Sequence, residues 1–187
     1  MLKRFFAIAV ALALIFMCSC TGGGGSESVG TVNGENVTAD ELNYFKNRLR
    51  AAVISKFVSE GAEFGDGFWS SEIGGITPER YLEDAAFDEC VKAKTLLIEC
   101  REYGIYDDIS FAALKAKAEK FNRDNEGRQT VGISSISLDV FYTYYIETGS
   151  LELKNVLAES GVAPDAATYD EYLASLAANA QIVRSDG

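Results

Sequence analysis

The chain has 187 residues, with 28 acidic side chains against 17 basic ones and no histidine. Lys3 and Arg4 stand at the very start, so the rest of the chain carries 15 basic against 28 acidic groups, a net charge of −13. That balance argues against nucleic acid, which calls for clustered lysine and arginine, and against charge-driven docking on anionic lipid. It keeps a protein soluble and favours basic partners. The missing histidine removes Ser-His-Asp and Cys-His arrangements and the commonest zinc ligand.

Behind Lys3 and Arg4, Phe5 to Met17 form an apolar run of thirteen residues. This is short for a bilayer span and right for the core of a signal peptide. The run ends in Met17-Cys18-Ser19-Cys20, which resembles the lipobox of bacterial lipoproteins, where a small residue precedes a cysteine that becomes lipidated. The resemblance implies lipidation of Cys20, with Ser19 before the cleavage point; Cys18 is the alternative, disfavoured because Met17 is bulky. Residues 1–20 are then a lipoprotein signal peptide, 21–28 a Gly/Ser spacer, and 29–187 one folded domain. On this reading the protein is extracytoplasmic, anchored to the bacterial cell membrane through the lipid on Cys20. The resemblance implies at least two acyl chains, which hold far better than one at about 0.8 kcal/mol per buried methylene. An ordinary secretory signal or an uncleaved anchor is the competing reading.

Val29 to Val37 alternate apolar and polar residues around Asn33-Gly34, a strong hairpin signal. Thr38-Ala-Asp-Glu41 reads as a capping box opening a first helix that runs to about Ser59 and ends at Gly61. Leu42, Phe45, Leu49, Ala52, Val53 and Phe57 give it an apolar stripe. A glycine-rich loop with Phe64, Phe68 and Trp69 follows. Thr77-Pro78-Glu79 opens a second helix reaching Tyr103 and stopping at Gly104, with Leu82, Ala86, Ala93, Leu96, Leu97, Cys100 and Tyr103 inward. A third helix spans about Ser110 to Arg123, and Asn125 to Arg128 make a polar turn. A fourth helix starts at Ser137 and is weakened in its middle by Gly149. Asp165 to Asn179 form a fifth, and Ala180 to Arg184 a last short strand. The fold class is therefore mainly α, about five helices, with a small β-element formed by the N-terminal hairpin and the C-terminal end.

Cys90 and Cys100 fall on the second helix about 15 Å apart along its axis, too far to pair. They read as small buried hydrophobes. No cofactor site, phosphate loop or metal spacing is present in the sequence. The acids Asp107 and Asp108, and Glu83, Asp84 and Asp88, are read as solvated helix-face and helix-start charges rather than as paired catalytic carboxylates.

Val29-Gly-Thr-Val-Asn-Gly-Glu-Asn-Val-Thr-Ala-Asp-Glu-Leu42 resembles the opening of SurA-type and PrsA-type extracytoplasmic chaperones. In these, a helical N-terminal region surrounds a parvulin-type prolyl isomerase domain. Phe68-Trp69 through Tyr81, Glu102-Tyr-Gly-Ile105, and Leu173 to Val183 are similar to Gram-positive lipoprotein members, with the resemblance best over residues 29–105. The resemblance implies a SurA-N-like helical chaperone domain. The parvulin part is not evident: only Gly161 to Pro164 separates the fourth helix from the fifth, and no histidine exists to furnish its usual active site.

Two aromatic groups are candidate client-binding residues. Phe64, Phe68 and Trp69 form either an apolar lip for unfolded segments or a plug between the first two helices. Phe141, Tyr142 and Tyr145, with Tyr144, cover more than one face of the fourth helix, which means either deep burial or a cradle between helices one, two and four. The expected function is non-catalytic binding of unfolded or newly exported polypeptides by a membrane-tethered, chaperone-like lipoprotein. The alternatives are a peptidyl-prolyl isomerase-family protein with a degenerate catalytic domain and a lipoprotein scaffold for one specific partner. Dimerisation by arm exchange is open to a chaperone of this kind.

Overall fold

A computed structural model describes residues 26–127 and 135–185. Cys20, the leader before it and most of the spacer lie outside the described residues. Five α-helices and a three-stranded antiparallel sheet make up the architecture described.

Strands β1 (Ser28–Val32) and β2 (Glu35–Thr38) form the hairpin. Asn33 and Gly34 both adopt positive φ, at 50° and 84°, as a two-residue turn matched to strand twist requires. Val32 and Val37 are fully buried beneath it. Ser28 pairs with Thr38, and Glu27 O accepts from Ala39 N, so residues 27 and 28, expected to be spacer, take part in the fold. Strand β3 (Ile182–Arg184) pairs antiparallel with β1, giving the order β2-β1-β3. Gly30 sits where three elements converge: a Cβ there would lie 2.5 Å from Val183 O and 3.1 Å from the Phe87 ring. Only a bare backbone fits between β3 and the helix beneath.

Helix α1 (Ala39–Ser59) starts from the Thr38 capping box, with Glu41 answering to the Thr38 N–H at 2.9 Å. A loop containing one 3-10 turn, Phe68–Ser70, returns the chain to α2 (Pro78–Glu102), which is capped by Thr77 and carries Pro78 in its first turn. Helices α3 (Phe111–Asn125), α4 (Leu138–Glu159) and α5 (Ala166–Ala178) follow, capped by Ser110, Ser137 and Asp165. Each cap accepts one of the backbone N–H groups that a helix start leaves without a partner.

Helix α2 is the central element: α1, α4, α5 and the sheet all pack on it. Its buried residues include Leu82, Ala86, Phe87, Cys90, Leu97 and Cys100. Burying side chains of this size contributes roughly 1.5–3 kcal/mol each for the larger ones. Three apolar clusters result. The largest lies between the sheet, α1, α2 and α4; a second joins α2, α4 and α5; a third, around Phe57, Phe68 and Leu82, fills the loop end of the α1–α2 pair. Two stripe positions expected inside are outside: Ala52 is exposed, and Tyr103, at the C-cap of α2, is 37% exposed.

Candidate functional site

The loop aromatics divide. Phe68 is 2% exposed and packs with Val53, Phe57 and Leu82, while Trp69 is partly buried against it with ring centroids 5.1 Å apart. Arg50 lies over the indole at 4.4 Å. These two side chains therefore plug the α1–α2 gap. Phe64 reaches Phe68 only through one edge, at 5.3 Å, and stays 65% exposed.

The aromatics of α4 divide too. Tyr142 and Tyr145 belong to the main core, and Phe141 is partly buried against it. The Tyr142 hydroxyl donates to Glu41 Oε1 at 3.2 Å; the Tyr145 hydroxyl donates to Asp108 O at 3.3 Å and accepts from Lys117 Nζ at the same distance. Tyr106 stacks on Tyr145 with centroids 4.0 Å apart. Burial raises both the Tyr142 and Tyr145 hydroxyls, Tyr145 to about 12. Tyr142 and Tyr145 thus hold α4 onto its neighbours instead of lining an opening. Tyr144 points outward, with Val140 and Leu151 exposed on the same turn pattern.

An opening nevertheless exists beside α1, α2 and α4, and other residues line it. One hollow of about 280 Å³ is bounded by Phe45, Ala93, Leu96, Ile146, Leu173 and Ala174, with Glu89 and Lys92 at its rim. A second, of about 400 Å³, is bounded by Tyr44, Phe45, Leu49, Thr143 and Ile146, with Arg48, Glu89 and Glu147. The two share Phe45, Glu89 and Ile146, so they form one open groove over α2. Its floor is apolar and its rim is charged. Ligand sites commonly have volumes of about 300–1,000 Å³ and mix an apolar lining with a few polar groups. The α4 residues that line it are Thr143, Ile146 and Glu147, with Ile146 standing one turn beyond Tyr142. The signal in the sequence was Ile146 itself, the apolar position at that spacing.

Beside this groove, buried in the core, Lys94 donates to Glu41 Oε1 at 2.6 Å. The other Glu41 oxygen takes the Thr38 N–H and hydroxyl. Both oxygens are thus fully used, and the pair serves packing rather than proton transfer. The sequence marked Glu41 only as a helix cap.

Two of the remaining acids, Asp108 and Asp84, are tied into the fold. Asp108 accepts from the Ser110 N–H at 2.8 Å, and that bond lowers its carboxyl below the usual range. Asp84 pairs with Arg80 and with Arg184 of β3. Burial pushes the Cys90 and Cys100 thiols up to about 12, far from nucleophilic readiness at neutral pH. Among the described residues, no group of three metal-ligating side chains occurs and no helix is long and apolar enough to cross a membrane. Comparison with family models, with curated proteins and with solved structures gave no match.

Proposed function

We propose that this protein is a membrane-tethered, extracytoplasmic lipoprotein that binds unfolded or newly exported polypeptide without catalysis. The observation that carries the reading is the open, apolar-floored groove over α2, which gives extended or partly folded segments a place to rest. The resemblance of residues 29–42 to SurA-type and PrsA-type openings, and the lipobox-like Cys20, support the same reading and supply its location. Binding is weak and repeated, because a client loses ordering entropy whenever it is held. The acidic exterior keeps protein and client in solution.

The test is suppression of aggregation. The full chain, reconstituted in neutral lipid nanodiscs, is added as a chemically unfolded protein is diluted, and light scattering is followed against empty discs. Dose-dependent suppression is expected; none at several-fold excess overturns the reading. A proline-peptide isomerisation rate above background would overturn its non-catalytic part.

The outward apolar residues of α4, Val140, Tyr144 and Leu151, favour a second reading, a scaffold for one folded partner. Tyr144→Ser and Leu151→Ser distinguish the two: they abolish capture of a single stoichiometric partner but leave suppression of scattering intact.

A further inference from the structure

Helix α4 is apolar on two opposite sides. Its inward side, with Tyr142, Tyr145, Gly149, Leu153 and Leu157, is buried. On the side facing away, Val140, Tyr144 and Leu151 are 54%, 61% and 62% exposed, and Glu147 and Ala158 are exposed with them. A helix packed on one side only normally shows polar groups to water on the other. Instead, Val140, Tyr144, Glu147, Leu151, Lys154 and Ala158 recur at alternating steps of four and three, the spacing by which one helix seats against another. The stripe runs about 27 Å along the axis.

The charges within the stripe say what fits it. Glu147 and Lys154 are of opposite sign, and neither is in an ion pair among the described residues. Lys154 is half-buried beside the stripe, over the Tyr169 ring at 5.8 Å. Arg48 of α1 donates to Thr143 Oγ1 at 3.2 Å on the same flank. We infer that this stripe is the contact between two copies of the chain, their α4 helices lying antiparallel about a two-fold axis level with Gly149. Val140 then meets Ala158 of the second copy, Tyr144 meets Lys154 and Glu147 meets Leu151, each contact occurring twice. Glu147 comes within a turn of the second copy's Lys154, so a cation of each copy faces it, and the Tyr144 ring receives the Lys154 ammonium. A parallel pair in register would instead set Glu147 on Glu147 and Lys154 on Lys154. Charged residues inside such a seam fix its orientation at a cost in strength. The inference rests on the scaffold reading of the α4 face, names its partner, and is independent of what the groove holds. A seam this narrow buries less than about 1,200 Å² in total and holds weakly. Tethers in one membrane would raise its occupancy by confining both copies.

The test is sedimentation equilibrium of the full chain in density-matched neutral detergent, with micelles in large excess over protein. Salt is about 0.15 M, which screens repulsion between the acidic bodies beyond about 8 Å. A monomer–dimer equilibrium with a midpoint of about 10–100 μM is expected. Leu151→Asp should weaken it at least about ten-fold, and Glu147→Lys at least about five-fold. Glu147→Lys combined with Lys154→Glu should return it to within about two-fold of the unaltered chain, because the attraction is restored with its signs exchanged. Leu151 and Glu147 are on the surface and Lys154 borders it, so unchanged urea midpoints at monomer concentration are expected for all the variants.

A chain that stays monomeric up to about 300 μM overturns the inference. A dimer indifferent to Leu151→Asp or to Glu147→Lys overturns it too, because its contact lies elsewhere. So does a dimer weakened by Glu147→Lys that Lys154→Glu fails to restore, because the helices are then not antiparallel in this register. In each of these cases, capture of a different stoichiometric partner through Tyr144 and Leu151 would leave the scaffold reading standing. The light-scattering assay decides the polypeptide-binding reading separately.

Discussion

Lys94 of α2 and Glu41 of α1 meet at 2.6 Å in the core, each side chain only 2% exposed. A buried pair of this kind contributes little against an apolar replacement, but removing one partner strands a charge and costs about 3–5 kcal/mol. Lys94→Met is therefore expected to lower the stability read from urea unfolding by about that much. Adding Glu41→Met should recover part of the loss and not all, because Thr38 and Tyr142 then lose their acceptor. A single-variant loss under about 1 kcal/mol would mean that water reaches the pair.

Alkaline pH should unfold the protein through groups that have nothing to do with the groove. Burial raises the Cys90 and Cys100 thiols from 9.0 to about 12 and the Tyr145 hydroxyl from 10.0 to about 12. Each remains neutral in the folded chain while its unfolded counterpart ionises. The stabilisation is whole below the unfolded values and drains away as pH rises from 9 towards 12. Urea midpoints across that window should fall steadily. In a Cys90→Ala, Cys100→Ala variant the fall should be shallower, whatever the variant loses at neutral pH.

Gly149 looks in the sequence like a weak point of α4, and a helix normally gains about 1 kcal/mol when glycine becomes alanine. Here a Cβ would lie 2.8 Å from the Tyr106 ring and 3.1 Å from Cys100 Sγ. Gly149→Ala is expected to destabilise by about 1–3 kcal/mol, as overpacked cores do. A rise in thermal midpoint would show that Tyr106 yields its place freely.

Phe64 and Phe68 are four residues apart and should respond in opposite ways. Phe68→Ala removes a buried ring and should cost about 3–5 kcal/mol, with a red shift in Trp69 emission. Phe64→Ser, at a side chain 65% exposed, should leave stability within about 0.5 kcal/mol. If Phe64→Ser alone reduced suppression of scattering, the loop would act in client binding beside the groove.

Most of the architecture was legible because local chemistry announces itself. Thr38, Thr77, Ser110, Ser137 and Asp165 each stand one residue before a helix that the structure contains. Asn33-Gly34 made the hairpin readable, and its position near one chain end with apolar residues at the other suggested the closed sheet. The groove was less legible. A cradle between helices one, two and four could be named, but Tyr142 and Tyr145 were the residues offered for it. Periodicity tells which residues share a helix face and not which of two apolar faces meets a neighbour. Nor could spacing along the chain foresee that Lys94 would be buried, since its partner lies 53 residues away.

The sheet holds a final consequence for how the chain assembles. β1 finds β2 across a two-residue turn, but its other edge is met only by residues near the far end; Asn33 and Gln181, bonded at 2.7 Å, are 148 positions apart. Closing so long a loop carries an entropic cost that local hairpins and helix pairs do not meet. Synthesised from its N-terminus, the chain is expected to complete β1–β2 and α1–α2 first and to seal β3 last. Until then β1 presents bare N–H and C=O groups to any passing strand. A protein proposed to keep others from aggregating thus passes through its own interval of risk, and pulse-labelling hydrogen exchange should find the β1–β3 amides protected after those of β1–β2.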